Sequence, residues 1–182
     1  MIALATVLSF IRVYKLPWGG SVTLLSMLPI FVYSIRWGLK DGFVVSFVYS
    51  LVQFLQGIID GLFGWGLTPV SLIACIVIDY LLAFTVLGIA GIFKSKKTAG
   101  IIAGICLATV LRFACHFLSG VVIWHSYGEL WGGFSTENSF LYSFLYNGAY
   151  MLPELVITVL GAIVLFALPQ TKKLLLDTDK VA

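Results

Sequence analysis

An all-α integral membrane protein, folded as a bundle of six transmembrane helices, is what the sequence predicts, and three observations predict it. Hydrophobic residues make up 60% of the 182 and charged residues 10%, with a mean hydropathy of +1.07. Soluble domains run at roughly 45–50% apolar and about 25% charged. Six apolar segments can be drawn, at 1–14, 21–36, 42–63, 69–93, 98–124 and 138–168, most of them near the ~20 residues that cross a bilayer. Basic residues gather in alternate connections. At this length the spans leave no room for a soluble domain, so residues 1–182 read as a single transmembrane domain.

The first segment lacks a positively charged leader and a small-residue cleavage pattern, which argues against a signal peptide. It is short for a span, and the expectation is that the chain as written has lost a few N-terminal residues. Tyr14-Lys15-Leu16-Pro17-Trp18-Gly19-Gly20 separates it from the second segment, with Pro and Gly-Gly breaking the helical pattern. Arg36-Trp37-Gly38-Leu39-Lys40-Asp41 ends the second segment, Gly64-Trp65-Gly66-Leu67-Thr68-Pro69 the third and Lys94-Ser95-Lys96-Lys97 the fourth. His125 to Glu137 is the longest loop, and Lys172-Lys173 closes the last span.

The second, fourth and terminal connections carry Arg36, Lys40, Lys94, Lys96, Lys97, Lys172 and Lys173, whereas the other side holds Lys15, with Arg12 nearby, beside Glu129 and Glu137. By the positive-inside rule both termini are cytoplasmic and the first, third and fifth loops face outward. The formal charge of +3 is too small and scattered for a nucleic-acid partner. Cys75, Cys106 and Cys115 lie within apolar segments without ligand spacing and read as small buried hydrophobes. Gly88, Gly91, Gly100 and Gly104 read as close helix-packing positions.

The stretch from Leu111 to Glu154 departs from lipid-facing composition. Arg112, His116 and Gly120 recur at four-residue spacing and share a helix face, with Trp124 drifting round by the last turn. Beyond the loop come Tyr142, Tyr146, Asn147, Tyr150 and Glu154. Ionisable groups at membrane depth are costly and face a bundle interior or a cavity, which points to a small-molecule site. Asp79, in the middle of the fourth span, needs a partner: Arg112 as an ion pair, or a cationic or hydrogen-bonding ligand. Asp60 lies near the outer end of the third span. Trp37, Trp65, Tyr14 and Tyr33 read as interfacial belt aromatics. Trp18, Trp124, Tyr142 and Tyr146 fit a belt less well, because they fall near the outward loops and the charged row. Rings stacked beside a carboxylate cage a flat, cationic heteroaromatic molecule, and a desolvated cation over Trp gains about 2 kcal/mol.

Enzymatic chemistry inside a membrane needs a nucleophile with its base, two carboxylates at working distance or a metal cage of the His-Glu-x-x-His type, and the sequence offers none of these. No phosphate-binding Gly-x-x-x-x-Gly-Lys-Ser/Thr loop is present, so any ATP hydrolysis belongs to another polypeptide. No cofactor is expected.

The loop Pro17-Trp18-Gly19-Gly20-Ser21, the pair Asp79-Tyr80 within Ile78 to Phe84, the run Arg112 to Trp124 and the run Leu141 to Glu154 resemble the thiamine-specific S-component of energy-coupling factor (ECF) vitamin transporters. The resemblance spans nearly the whole chain. It implies a six-helix bundle of the ECF S-component type in a bacterial cell membrane, a non-catalytic subunit that captures thiamine from outside. Its partners would be a membrane coupling protein (the T-component) and two cytoplasmic ATPases. By position, Asp79 would bind the aminopyrimidine with Asn147 and Tyr142, and Trp124 would stack on the cationic ring system. Tyr80 and His116 would meet the hydroxyethyl side, with Gly120 on the same face. Arg112 would stand near the ligand, and Trp18 would lie on a lid formed by the first outer loop. Small residues of the first helix, here Ala3, Ala5 and Ser9, would face the coupling protein. Other readings remain open: a carrier for another vitamin or a thiamine precursor, a proton-coupled secondary carrier using Asp79 and Glu154, or a purely structural role.

Overall fold

The structure, a computed structural model, describes residues 1–125 and 128–176. It is mostly helical. α1 (Ile2–Phe10) leads into a hairpin of β1 (Arg12–Lys15) and β2 (Ser21–Thr23), followed by α2 (Leu28–Trp37) and α3 (Leu39–Ile59). α4 (Pro69–Lys94) and α5 (Lys97–Val122) precede a second hairpin of β3 (Gly128–Trp131) and β4 (Phe134–Thr136). α6 (Ser139–Ala167) and the short α7 (Pro169–Leu176) follow. Among the described residues four helices are long and apolar enough to cross a membrane: α3, α4, α5 and α6. α1, with 9 residues, and α2, with 10, are shorter than the predicted first and second spans.

The two hairpins are the departure from the all-α expectation, and the first explains why the early helices are short. Ser21-Val22-Thr23 was grouped with the second span, yet its β-branched pair pleats against β1 with Tyr14 opposite Val22 and Lys15 opposite Ser21. Pro17 opens a 3₁₀ turn that ends at Gly19, and Gly19 holds φ 96°, a left-handed value that suits glycine. α2 then begins only after Leu25 has turned the chain with φ 60°.

The remaining boundaries follow the expected punctuation. Gly38 separates α2 from α3. Thr68 caps α4, its hydroxyl accepting from the Ser71 amide at 3.2 Å, with Pro69 in the first turn. Phe93 breaks helical geometry beside the lysine-rich connection. Asn138 caps α6 by accepting from the amides of Phe140 (3.0 Å) and Leu141 (3.2 Å).

The core is concentrated where α2, α3, α4 and α5 meet, around Ile30, Phe31, Tyr49, Leu87, Ile101 and Ile105. Backbones approach closely there: a Cβ at Gly104 would fall on the carbonyl oxygen of Ala90. Ser34 adds a polar staple, donating to the Gly88 carbonyl at 2.5 Å and accepting from the Gly91 amide at 3.1 Å. α1 turns Ala5 and Ser9 inward, where Ser9 accepts from Gln56 Nε2 at 2.7 Å. Of the small residues expected to meet a coupling protein, only Ala3 stays exposed.

Candidate functional site

Within α4, residues Ile76–Leu82 form a π-helical segment that carries Asp79 and Tyr80. Wider turns of this kind re-aim side chains and recur at functional sites. Asp79 is thereby brought to α5, where its Oδ1 lies 2.9 Å from His116 Nδ1 and its Oδ2 accepts from the Ser119 hydroxyl. A carboxylate only accepts, so the proton of the first bond sits on Nδ1. His116 Nε2 is buried with no hydrogen-bond partner among the described residues.

Asp79 was expected to pair with Arg112 or with a ligand, and the geometry corrects the first alternative. Arg112 sits one helical turn before His116; its guanidinium lies over the Phe84 ring, 4.3 Å from the centroid, and Nη1 donates to Met27 Sδ at 3.0 Å. His116 and Ser119, three residues apart on one face, hold the carboxylate instead.

Aromatic rings wall the space in front of Asp79. Trp65 and Trp124 pack with centroids 5.6 Å apart, and Tyr142 stacks on Tyr146 at 6.2 Å and 15°. Tyr150 meets both Tyr146 and His116 edge to face. Tyr80 lies edge-on to Phe54. Asn147 Nδ2 donates to the Ser143 carbonyl at 2.9 Å, and its Oδ1 accepts from the Tyr150 hydroxyl at 2.8 Å.

The first hairpin closes over these residues. Tyr146 Oη accepts from the Gly20 amide at 3.2 Å and donates to the Pro17 carbonyl. Deeper in, the buried Glu154 carboxylate accepts from the Thr23 amide (2.8 Å) and hydroxyl (2.6 Å). On the other flank Arg12 forks onto Asp60 at 2.9 and 2.7 Å, with Lys15 Nζ at 3.1 Å. The hydrogen bond from Arg12 holds the Asp60 carboxyl below the usual carboxylate range, and the same bond raises Arg12.

These elements enclose a cavity of about 430 Å³, within the range of small-molecule sites. Of the residues singled out from sequence, Asp79, Tyr80, Arg112, His116, Gly120, Trp124, Tyr142 and Asn147 all line it. The side chain of Trp18 lies outside the described residues. Gly120 has a packing reason as well, because a Cβ there would strike Ser143 of α6. Trp65, assigned from sequence to the interfacial belt, lines the cavity too. Its setting between Gly64 and Gly66 in the loop before α4 was the overlooked signal. Ser119 shares a face with His116 by helical spacing, but that spacing did not assign it to Asp79, and Arg12 and Asp60, 48 residues apart, had no local signature.

The family model described as "Thiamine transporter protein (Thia_YuaJ)" matches residues 1–176. The thiamine transporter ThiT of Bacillus subtilis is 35% identical, over 91% of this chain and 83% of its own length. The thiamine transporter ThiT of Lacticaseibacillus paracasei is 29% identical, over 73% of this chain and 67% of its own. A solved structure of ThiT from Listeria monocytogenes superposes with a TM-score of 0.69 at 25% identity, covering 93% of this chain and 91% of that one.

Proposed function

Because this chain belongs to the thiamine transporter family, we propose that it is the thiamine-binding membrane subunit, the S-component, of an ECF-type uptake transporter. The observation that carries the ligand choice is Asp79, a carboxylate at membrane depth, set between His116 and Ser119 and faced by aromatic rings. A neutral flavin or an anionic biotin would leave that carboxylate without a counterpart. A cationic thiazolium joined to an aminopyrimidine meets it with both charge and N–H donors.

In this reading the aminopyrimidine donates to Asp79, whose oxygens keep lone pairs beyond those used by His116 and Ser119. Asn147 Oδ1 has a second lone pair to offer, and Tyr142 flanks the ring. The cationic ring system stacks on Trp124, with Trp65 behind it. Tyr80 and His116 Nε2, which has no hydrogen-bond partner among the described residues, meet the hydroxyethyl arm. Arg112 supplies a fixed cation at the floor, and the first outer loop, on which Trp18 lies in the sequence, serves as a lid.

The proposal places six spans in a bacterial cell membrane as one transmembrane domain, with α1 and α2 completing the bundle. Both termini are then cytoplasmic and the hairpin end faces outward, as the basic residues of the opposite connections favour. The subunit performs no chemistry: a membrane coupling protein and two cytoplasmic ATPases supply the energy.

Titration of the detergent-purified protein with thiamine, followed by tryptophan fluorescence with riboflavin and biotin as controls, tests this. Saturable quenching by thiamine alone, abolished in Trp124→Ala, is the expected result. Binding of another vitamin instead would keep the fold and replace the substrate.

A further inference from the structure

The first hairpin is fastened by two chemically different kinds of tether. Toward α6 the tethers run to Tyr146 Oη, a neutral group, and to Glu154 through hydrogen bonds from Thr23. Toward α3 the tether is ionic: Arg12 engages both oxygens of Asp60, and Lys15 engages one of them. Arg12 and Asp60 also line the cavity, so the ionic contact forms part of its wall. Asp60 caps the C-terminal end of α3, and Gly61 turns the chain away with φ 98°. The carboxylate therefore stands on a membrane-spanning helix, while its two cations stand on a strand of four residues. An isolated two-stranded hairpin is marginal in water, so its position depends on these attachments.

We propose that Asp60 is a positioning residue for ligand retention, which holds the β1–β2 hairpin against α3 across the cavity mouth and thereby sets the rate at which bound ligand escapes. The inference rests on reading the cavity as the thiamine site. Side-chain exposures of 21% for Arg12 and 22% for Asp60 leave the pair open to counterions. Salt shortens the screening length from about 10 Å at 0.1 M to about 3 Å at 1 M, which weakens this tether and leaves the Tyr146 tether unchanged. Release therefore accelerates with ionic strength, and it does so through Asp60. Because the hairpin acts after encounter, the effect falls on dissociation rather than association.

The test is the chase of labelled thiamine from purified protein at about 0.1 M and about 1 M salt. Wild-type release is expected to speed up about two- to five-fold at high salt, the scale of a partly exposed ion pair. Asp60→Asn should release quickly at both salt levels, and Asp60→Glu, which keeps a carboxylate near both cations, should restore slow, salt-sensitive release. Asp41→Asn, an equal charge change at the far end of α3, should behave as wild type. Slow, salt-sensitive release from Asp60→Asn, or salt-independent release from wild type, would overturn the latch while leaving thiamine binding intact. Absence of thiamine binding by wild type would instead overturn the functional reading and the latch with it.

Discussion

α4 and α5 run the length of the bundle, and their two ends are built on opposite plans. Toward the α4–α5 connection, small residues let backbones touch: a Cβ at Gly88 would lie 2.6 Å from the Phe43 amide nitrogen, and one at Gly104 would meet the Ala90 carbonyl. Toward the hairpins, the same helices separate around a cavity lined by Asp79, His116 and Trp124. One end gains stability from dispersion at short range. The other exposes polar groups at membrane depth, which is costly without a ligand or a partner. Placing both on one pair of helices gives the open end a rigid base.

Asp79→Ala tests the division most severely. It removes the acceptor of His116 and Ser119 and, in the proposed binding mode, the counterpart of the cationic ligand. Truncating one member of a buried hydrogen-bonded charge pair costs about 2–5 kcal/mol, so thiamine affinity should fall by about 30-fold to several thousand-fold in a calorimetric titration. Stability in detergent, read from the melting temperature, should fall only by the about 1–3 kcal/mol of leaving buried donors unpaired, because the packed end is untouched. A collapse of stability with unaltered affinity in the surviving protein would reverse the assignment of roles.

Gly104→Ala probes the other end. Its new methyl has no room against the Ala90 carbonyl, and overpacking costs about 1–3 kcal/mol. The expected outcome is a lowered melting temperature with near-normal thiamine affinity in the folded fraction. Should affinity fall as far as stability, the two ends would be coupled rather than independent.

The same division governs what could be read from the sequence. Arg112, His116 and Gly120 were legible because a helix face repeats every three to four residues, and Asp79 because a carboxylate amid aliphatic residues stands out at once. The identity of Asp79's partners was not legible: helical spacing shows which residues share a face, but not which of them a neighbouring helix presents its carboxylate to. The π segment that re-aims Asp79 has no signature in Ile76 to Leu82 that distinguishes it from ordinary helix. The Arg12–Asp60 pair joins a strand to a helix end and obeys no local period. The first hairpin was hidden because Ser21-Val22-Thr23 is apolar enough to be absorbed into the segment that follows.

Trp65 and Trp37 offer the finest test, since from sequence both read as belt aromatics and only the structure separates them. Trp37 ends α2, is 49% exposed and packs beside Tyr33 and Arg36, away from the cavity. Trp65 stands behind Trp124 with its ring tilted by 59°, so its loss lets the stacking ring turn away from the ligand. Aromatic pairs are worth about 0.5–1.5 kcal/mol beyond their buried area, which predicts a two- to ten-fold, roughly, loss of thiamine affinity for Trp65→Ala and no measurable loss for Trp37→Ala. Equal effects would mean that the wall behind Trp124 contributes nothing to orientation. A Trp65→Phe variant that recovers most of the affinity would assign the role to ring packing rather than to the indole N–H.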